Sequence, residues 1–295
     1  MRVTSFVTRD RRTADVLAGE ARLEQARDRV STGHRVERPA DAPDQIAELL
    51  RVKSEITEFT RRKDGADAAL PGMQAGEAAL NDMSGALREL RTLALQANNS
   101  TLNADDRGTI ADQMERVRAR LLSLANTQFG GRYLFAGTKT DAAPFSQGPP
   151  VDYNGSAAPL EMSLTSSSPF AVSVTGDALL NRRGGTDLFQ NLADLETAVR
   201  AGDSAAISTR LSALDDDLTN VLRLNGDLGA RVQYVQMAQQ QADDGLSSAQ
   251  GRQSDLQDVD LSEAILDENT AQVAHQAALA MAGRIDQPSL LDYLR

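Results

Sequence analysis

In ISTRLSALDDDLTNVLRLNGDLGARVQYV, residues 207–235, apolar side chains return at Ile207, Leu211, Leu214, Leu218, Val221, Leu228, Val232 and Val235 in alternating steps of four and three, and Asn225 holds the one polar place in the series. That alternation keeps a single stripe in line along an α-helix. Ala242, Leu246, Ala249 and Leu256 carry the stripe on, so the segment predicts a helix of about fifty residues with no proline inside it. A helix of this length draws most of its stability from a partner stripe, and coiled-coil-like packing follows. Asn225 within the seam is the kind of residue that fixes register at a cost in stability.

A matching stripe lies upstream. Met73, Gly76, Leu80, Met83, Leu87, Leu90, Ala94 and Ala97 keep the same spacing and stop at Asn98-Asn99-Ser100. Asn103, three residues before Asp106, then forms a helix-start arrangement, and Ile110, Met114, Val117, Leu121 and Leu124 resume the spacing. These features predict two antiparallel helices joined by a tight turn. Further upstream, Ile46, Leu49, Leu50, Ile56 and Phe59 mark a helix over 46–69 that ends near Pro71-Gly72, since an internal proline removes a backbone donor.

Residues 130 to 185 contain five of the nine prolines (Pro144, Pro149, Pro150, Pro159 and Pro169), which argues against helix there. Tyr153-Asn154-Gly155-Ser156 predicts a hairpin turn, while Leu160, Met162 and Leu164, and then Phe170, Val172 and Val174, alternate as strands do. A small β insert is expected, followed by a helix carrying Leu188, Leu192, Leu195 and Val199.

The two ends form a third element. Val16, Leu23 and Val30 recur every seven residues with Gly19 and Ala26 between them, and Gly33 stands where a helix C-terminus is closed. Leu261, Ile265, Leu266, Val273, Ala277 and Ala280 line an alanine-rich helix that stops before Pro288. Residues 1 to 38 carry nine Arg against six acids, and residues 255 to 295 carry two Arg against eight acids. Opposite charge favours pairing of the ends. Each apolar face is narrow, which predicts that the ends order only on assembly.

Composition excludes several classes of function. Aromatic residues make up 4% of the chain and the formal net charge is −11, so cations do not dominate any partner surface for nucleic acid or anionic membrane. Cysteine is absent, and with it thiolate nucleophiles, disulfides and Cys-based metal sites. His34 and His275 have no second His or Cys at a ligand spacing, and they are expected on surfaces or interfaces. Asp215-Asp216-Asp217 and Asp258-Val259-Asp260 lack the glycine and terminal Glu of a calcium loop. Gly130-Gly131-Arg132-Tyr133-Leu134-Phe135-Ala136-Gly137 lacks the Lys-Ser/Thr of a phosphate loop and reads as a helix end passing into a strand. The N-terminal residues carry no apolar run of signal-peptide length, and no run is long enough to span a bilayer. No nucleophile sits beside a base. The expectation is a structural protein with no catalytic residues, no cofactor and no metal.

Ser31-Thr32-Gly33-His34-Arg35-Val36, with Pro39-Ala40-Asp41-Ala42-Pro43 after it, resembles the STGxRI…P(S/A)DDP stretch of the bacterial flagellin family. Leu95-Gln96-Ala97-Asn98-Asn99-Ser100-Thr101-Leu102 with Asp105-Asp106-Arg107 is similar to that family's QAxNGT…xDR, and Leu122-Ser123-Leu124-Ala125-Asn126-Thr127 follows in order. Gly131-Arg132-Tyr133-Leu134-Phe135-Ala136-Gly137-Thr138, then Pro144-Phe145, resembles the hook-filament junction branch, and so does Ser289-Leu290-Leu291-Asp292-Tyr293-Leu294. Ala42 stands where a second Asp is usual, and the region of Asp64-Gly65 lacks the usual Asn.

The resemblance implies a mainly α fold: a terminal coiled coil (1–40 with 255–295), an elongated helical bundle (41–135 with 200–254) and a small β-rich insert (136–199). It implies a structural subunit of the flagellum at the junction of hook and filament, with a short filament flagellin as the alternative. Export through the flagellar type III apparatus to the cell exterior follows. So do the partners: a ring of copies of itself, hook-associated protein 1 on one side, flagellin on the other, and an export chaperone beforehand. The assembly interface is expected at Val16, Leu23, Val30, Leu266, Val273, Ala280, Leu290, Leu291 and Tyr293. The motif residues are Gly33, Arg35, Pro39, Asp41, Asn98, Arg107, Asn126, Arg132, Tyr133 and Gly137.

Overall fold

A computed structural model describes residues 2–37, 42–99, 102–148, 150–165, 168–180 and 187–285. Helices dominate, as the stripes predict. In chain order they are α1 (Arg2–Thr32), α2 (Ile46–Ala97), α3 (Ala104–Ala125), α4 (Gly176–Leu180), α5 (Leu188–Ala201), α6 (Ser204–Gln257) and α7 (Leu261–Ile285). Between α3 and α4 lie strands β1 (Gln128–Phe129), β2 (Arg132–Tyr133), β3 (Glu161–Thr165) and β4 (Ser168–Ala171). The chain divides into two compact units, one made of Met1–Thr57 with Gly245–Arg295 and the other of Glu58–Asp244.

The second unit is built on the two long stripes. Leu80, Leu87, Leu90 and Ala94 of α2 are fully buried, as are Val221 and Val235 of α6, and all belong to one core that includes Met114 and Leu121 of α3. Register along α2 and α6 is held by polar pairs at the edge of this core. Lys63 meets Asp243, Asp67 meets Gln239, Glu77 lies beside Gly229 and Arg91 meets Asp215. Each step forward on α2 is matched by an equal step back on α6, which defines an antiparallel pair without slippage. Gly76 makes the pair close: a Cβ there would stand 3.3 Å from Leu228 Cδ2.

The helix ends follow local chemistry. Asn103 Oδ1 accepts the Asp106 amide at 2.8 Å and starts α3, and Asp187 does the same for Gln190 and α5. Gly202, at φ 69°, closes α5, and Asp203 Oδ1 then accepts the amides of Ala205 and Ala206 to open α6.

Three expectations need correction. The helix over 46–69 does not end near Pro71-Gly72: Pro71 lies inside one helix of 52 residues. A helix-interior proline costs about 3 kcal/mol. Here Ala66, Ala69, Leu70 and Met73 all enter the core on either side of it, and burial of a continuous stripe offsets that cost. Leu49 is buried as its place on the stripe predicts, but Leu50, placed on the same stripe, is exposed, and Val52 is buried in addition. The insert also carries less strand than the alternation predicts. Its larger hairpin pairs Glu161–Thr165 with Ser168–Ala171, whereas Asn154-Gly155 lies in a loop fastened by the Tyr153 hydroxyl, which donates to the carbonyls of Phe135 and Ser156. A second, two-residue hairpin forms at Gly130-Gly131, both at positive φ, where a helix-to-strand passage was expected. Two consecutive residues at positive φ make the tight turn that matches strand twist, and glycine adopts them without strain.

Candidate assembly interface

Within the first unit α1 lies along α7. Leu23 and Ala26 of α1 are buried there, with Val16, Gly19 and Val30 half-buried on the same side. The ends are therefore helical within a single chain, each supplying the apolar face that the other lacks, where the sequence predicts order only on assembly. The α7 side of this seam is not the predicted one. It consists of buried Ala264 with half-buried Glu268, Ala271, His275 and Ala278. Small residues bring the two backbones together: a Cβ on Gly19 would stand 3.5 Å from His275 Nδ1. That nitrogen is buried and has no hydrogen-bond partner. Arg27 and Glu268 form an ion pair at 3.6 Å on the flank of the seam.

Leu266, Val273 and Ala280, expected to pair with α1, point away from it. Leu266 and Val273 are each 66% exposed and Ala280 is exposed too. Leu261, Ile265, Leu279 and Met281 join them in solvent. α7 thus turns a narrow, small-residue face to α1 and leaves Leu261, Ile265, Leu266, Val273, Leu279 and Met281 uncovered among polar neighbours such as Asn269, Gln272 and Gln276. Six large apolar side chains left in water on one helix mark an interaction surface. Leu290, Leu291 and Tyr293 lie outside the described residues.

The Ser31–Val36 motif fastens this pair at one end. Gly33, at φ 72°, donates its amide to Arg29 O and accepts from Val259 N. The amides of Arg35 and Val36 both donate to Gln257 O, and Arg35 Nη2 donates to Leu256 O and Gln45 Oε1, each at 3.0 Å. His34 Nδ1 lies 3.0 Å from Asp258 Oδ1, and Ser254 donates to the other carboxylate oxygen. Asp260 Oδ1 accepts the Ser262 amide at 2.8 Å and opens α7, an arrangement that holds its carboxyl below the usual range. Val36 packs with Ala42 and Leu49 in a small core of its own. Pro39 and Asp41 fall outside the described residues.

The other motif residues belong to the second unit and act on its folding. Asn98 Oδ1 accepts from the Ser204 hydroxyl at 2.7 Å. Arg107 donates to Leu102 O and packs over Gly202, where any side chain would strike its guanidinium. Asn126 pins the insert to the end of α3: its amide group donates to Phe145 O at 3.1 Å and accepts from Phe145 N at 3.0 Å. Arg132 and Tyr133 form β2, and Tyr133 N donates to Thr140 O. Gly137, at φ 63°, lies so close to the carbonyls of Ser156 and Ala158 that a Cβ has no space. Among the described residues no group of three His, Asp or Glu could hold a metal ion. Asp215 is taken up by Arg91, and buried Asp217 accepts from Asn191 at 3.1 Å.

The fold and this paired end define a class: long-helix subunits whose two termini form one coiled coil with an uncovered apolar face. The chain belongs to the bacterial flagellin family. It matches the flagellin N-terminal helical region over residues 11–140 and the flagellin C-terminal helical region over 211–294. It is 29% identical to flagellar hook-associated protein 3 of Escherichia coli K12, across 87% of this chain and 89% of that one. It is also 24% identical to the flagellar filament 33 kDa core protein of Treponema phagedenis, across 91% of each. Among solved structures, flagellar hook associated protein-3 from Legionella pneumophila superimposes with a TM-score of 0.63 at 17% identity, covering 70% of this chain and 98% of that one.

Proposed function

We propose that this chain is a structural subunit of the bacterial flagellum that forms the junction between hook and filament. The observation that carries the reading is the broad apolar face of α7, which a monomer leaves in water and a ring of copies would cover. Its likeness to hook-associated protein 3 over nearly the full length of both chains supports the junction in particular. In this reading the terminal helices (1–40 and 255–295) build the ring, and the helical bundle (41–135 and 200–254) and the insert (136–199) are separate domains of the subunit. Val16, Leu23 and Val30 hold α1 to α7, while Leu266, Val273, Ala280, Leu290, Leu291 and Tyr293 meet neighbouring subunits. Hook-associated protein 1 lies on one side and flagellin on the other. An export chaperone escorts the chain to the flagellar type III apparatus, which delivers it to the exterior.

The likeness to a filament core protein favours a second reading, a short flagellin that polymerises on its own. Deleting the gene separates the two. Loss of swimming with hooks retained and flagellin shed into the medium supports the junction, whereas loss of a filament composed of this chain supports the flagellin.

A further inference from the structure

The second unit contains an opening that its packing does not require. A cavity of about 250 Å³ lies between α2, the β1–β2 hairpin, the strand segments near 160–174 and Leu228 of α6, and its lining is mostly apolar. That is room for a short alkyl chain or for a naphthalene bearing a phenyl ring, far more than one water needs. Gly72 and Gly76 sit one turn apart on its α2 wall. Glycine in a helix interior costs about 0.5–1 kcal/mol relative to alanine, so each needs a reason. Gly76 has one in the close approach of Leu228. Gly72 does not: a Cβ there would meet only Phe129 Cδ1, at an ordinary 3.9 Å. The consequence of Gly72 is that the cavity stays open.

The mouth has a definite chemistry. Phe129 is 46% exposed and Leu160 is 38% exposed, so two large apolar side chains stand in water at the rim. Beside them Arg132 is exposed and makes no ion pair among the described residues. In a chain whose formal net charge is −11, an unpaired guanidinium at the lip of an apolar cavity is a selective feature. The geometry points to a binding site for a small amphipathic anion, its apolar body in the cavity and its carboxylate or sulfonate against Arg132. This site is independent of the α7 face, and it stands or falls apart from the junction role.

The test titrates the full-length protein with anilinonaphthalene sulfonate, an aromatic anion that fluoresces in apolar surroundings. The parent should show one saturable site from which octanoate displaces the dye. Gly72→Leu should abolish binding with the melting temperature unchanged or raised, since the side chain fills the cavity and leucine favours helix. Arg132→Gln should weaken the sulfonate by about threefold to fivefold, the size of a partly exposed ion pair. The neutral dye N-phenylnaphthylamine should bind that variant as it binds the parent. Leu266→Ser and Val273→Ser on α7 should leave both dyes unaffected. If Gly72→Leu melts early, Phe129→Ala at the exposed rim replaces it and must weaken both dyes. Absence of a saturable site, binding that survives filling of the cavity or follows the α7 variants, or an equal effect of Arg132→Gln on both dyes would overturn the assignment.

Discussion

Val273→Asp and Leu23→Asp place the same charge on the two sides of the paired termini and should have different consequences. In a free subunit Val273 is 66% exposed, so the aspartate replaces a side chain already in water. Surface changes of that kind stay within about 0.5 kcal/mol, a shift of roughly 2 °C or less for a protein of this size. In the proposed ring the same position would be covered. Burying a valine contributes about 1.5–3 kcal/mol, and an unpaired carboxylate in its place costs several more. A loss of about 5 kcal/mol per contact lowers the association constant by three to four powers of ten. Leu23 is only 7% exposed within the α1–α7 seam, so Leu23→Asp damages the monomer itself and its terminal unit should unfold early. The assay combines thermal melts of the purified variants with swimming of deletion strains that express them. The reasoning requires that Val273→Asp melt like the parent and fail to restore swimming. It is refuted if this variant swims normally, or if it melts as early as Leu23→Asp.

Other perturbations test the interior. Leu87→Ala, at a fully buried site on α2, should cost about 2–5 kcal/mol and lower the melting temperature by roughly 4–20 °C. Leu228→Ala should cost less, because that residue borders the existing cavity; equal melting of Leu87→Ala and parent would show that this stripe is not the core. Asn225→Leu should raise the melting temperature, since Asn225 Oδ1 is buried without a partner and an unsatisfied group of this kind costs about 1–3 kcal/mol; a lower temperature contradicts this. Glu196 is almost fully buried against Arg118 at 2.7 Å, and desolvation pushes its carboxyl above the usual range despite that partner. A raised folded value means a contribution that is complete below the unfolded value and is lost as pH rises through the folded one. Glu196→Gln cannot titrate, so its stability relative to the parent should increase as pH rises above the ordinary carboxylate range, and a difference independent of pH would count against the reasoning.

The long helices were legible because their information is local. The four-and-three spacing of Ile207 to Val235 and of Met73 to Ala97 names the buried face of α6 and α2 without reference to any partner, and Asn103 and Gly33 announce their helix ends by their own side-chain or backbone chemistry. Pro71 misled because the rule it triggers is local as well, while the burial that overrides it comes from α6 and the insert. The Gly130-Gly131 hairpin did carry a sequence signal, a two-glycine turn, but strands of two residues leave no alternation on either side of it.

For the site itself, the sequence alone determined that two helical ends of opposite charge exist, that both carry apolar residues at heptad spacing, and that the Ser31–Val36 and Asn98–Arg107 motifs belong to one family. Which face of α7 meets α1 was decided only by the tertiary structure. With alanines on one side and large apolar residues on others, α7 offers more than one stripe, so periodicity cannot choose among them. The choice falls to shape: Gly19 and Ala26 on α1 accept the alanine face of α7 at close range, and the bulky residues Leu266, Val273 and Met281 are left facing outward.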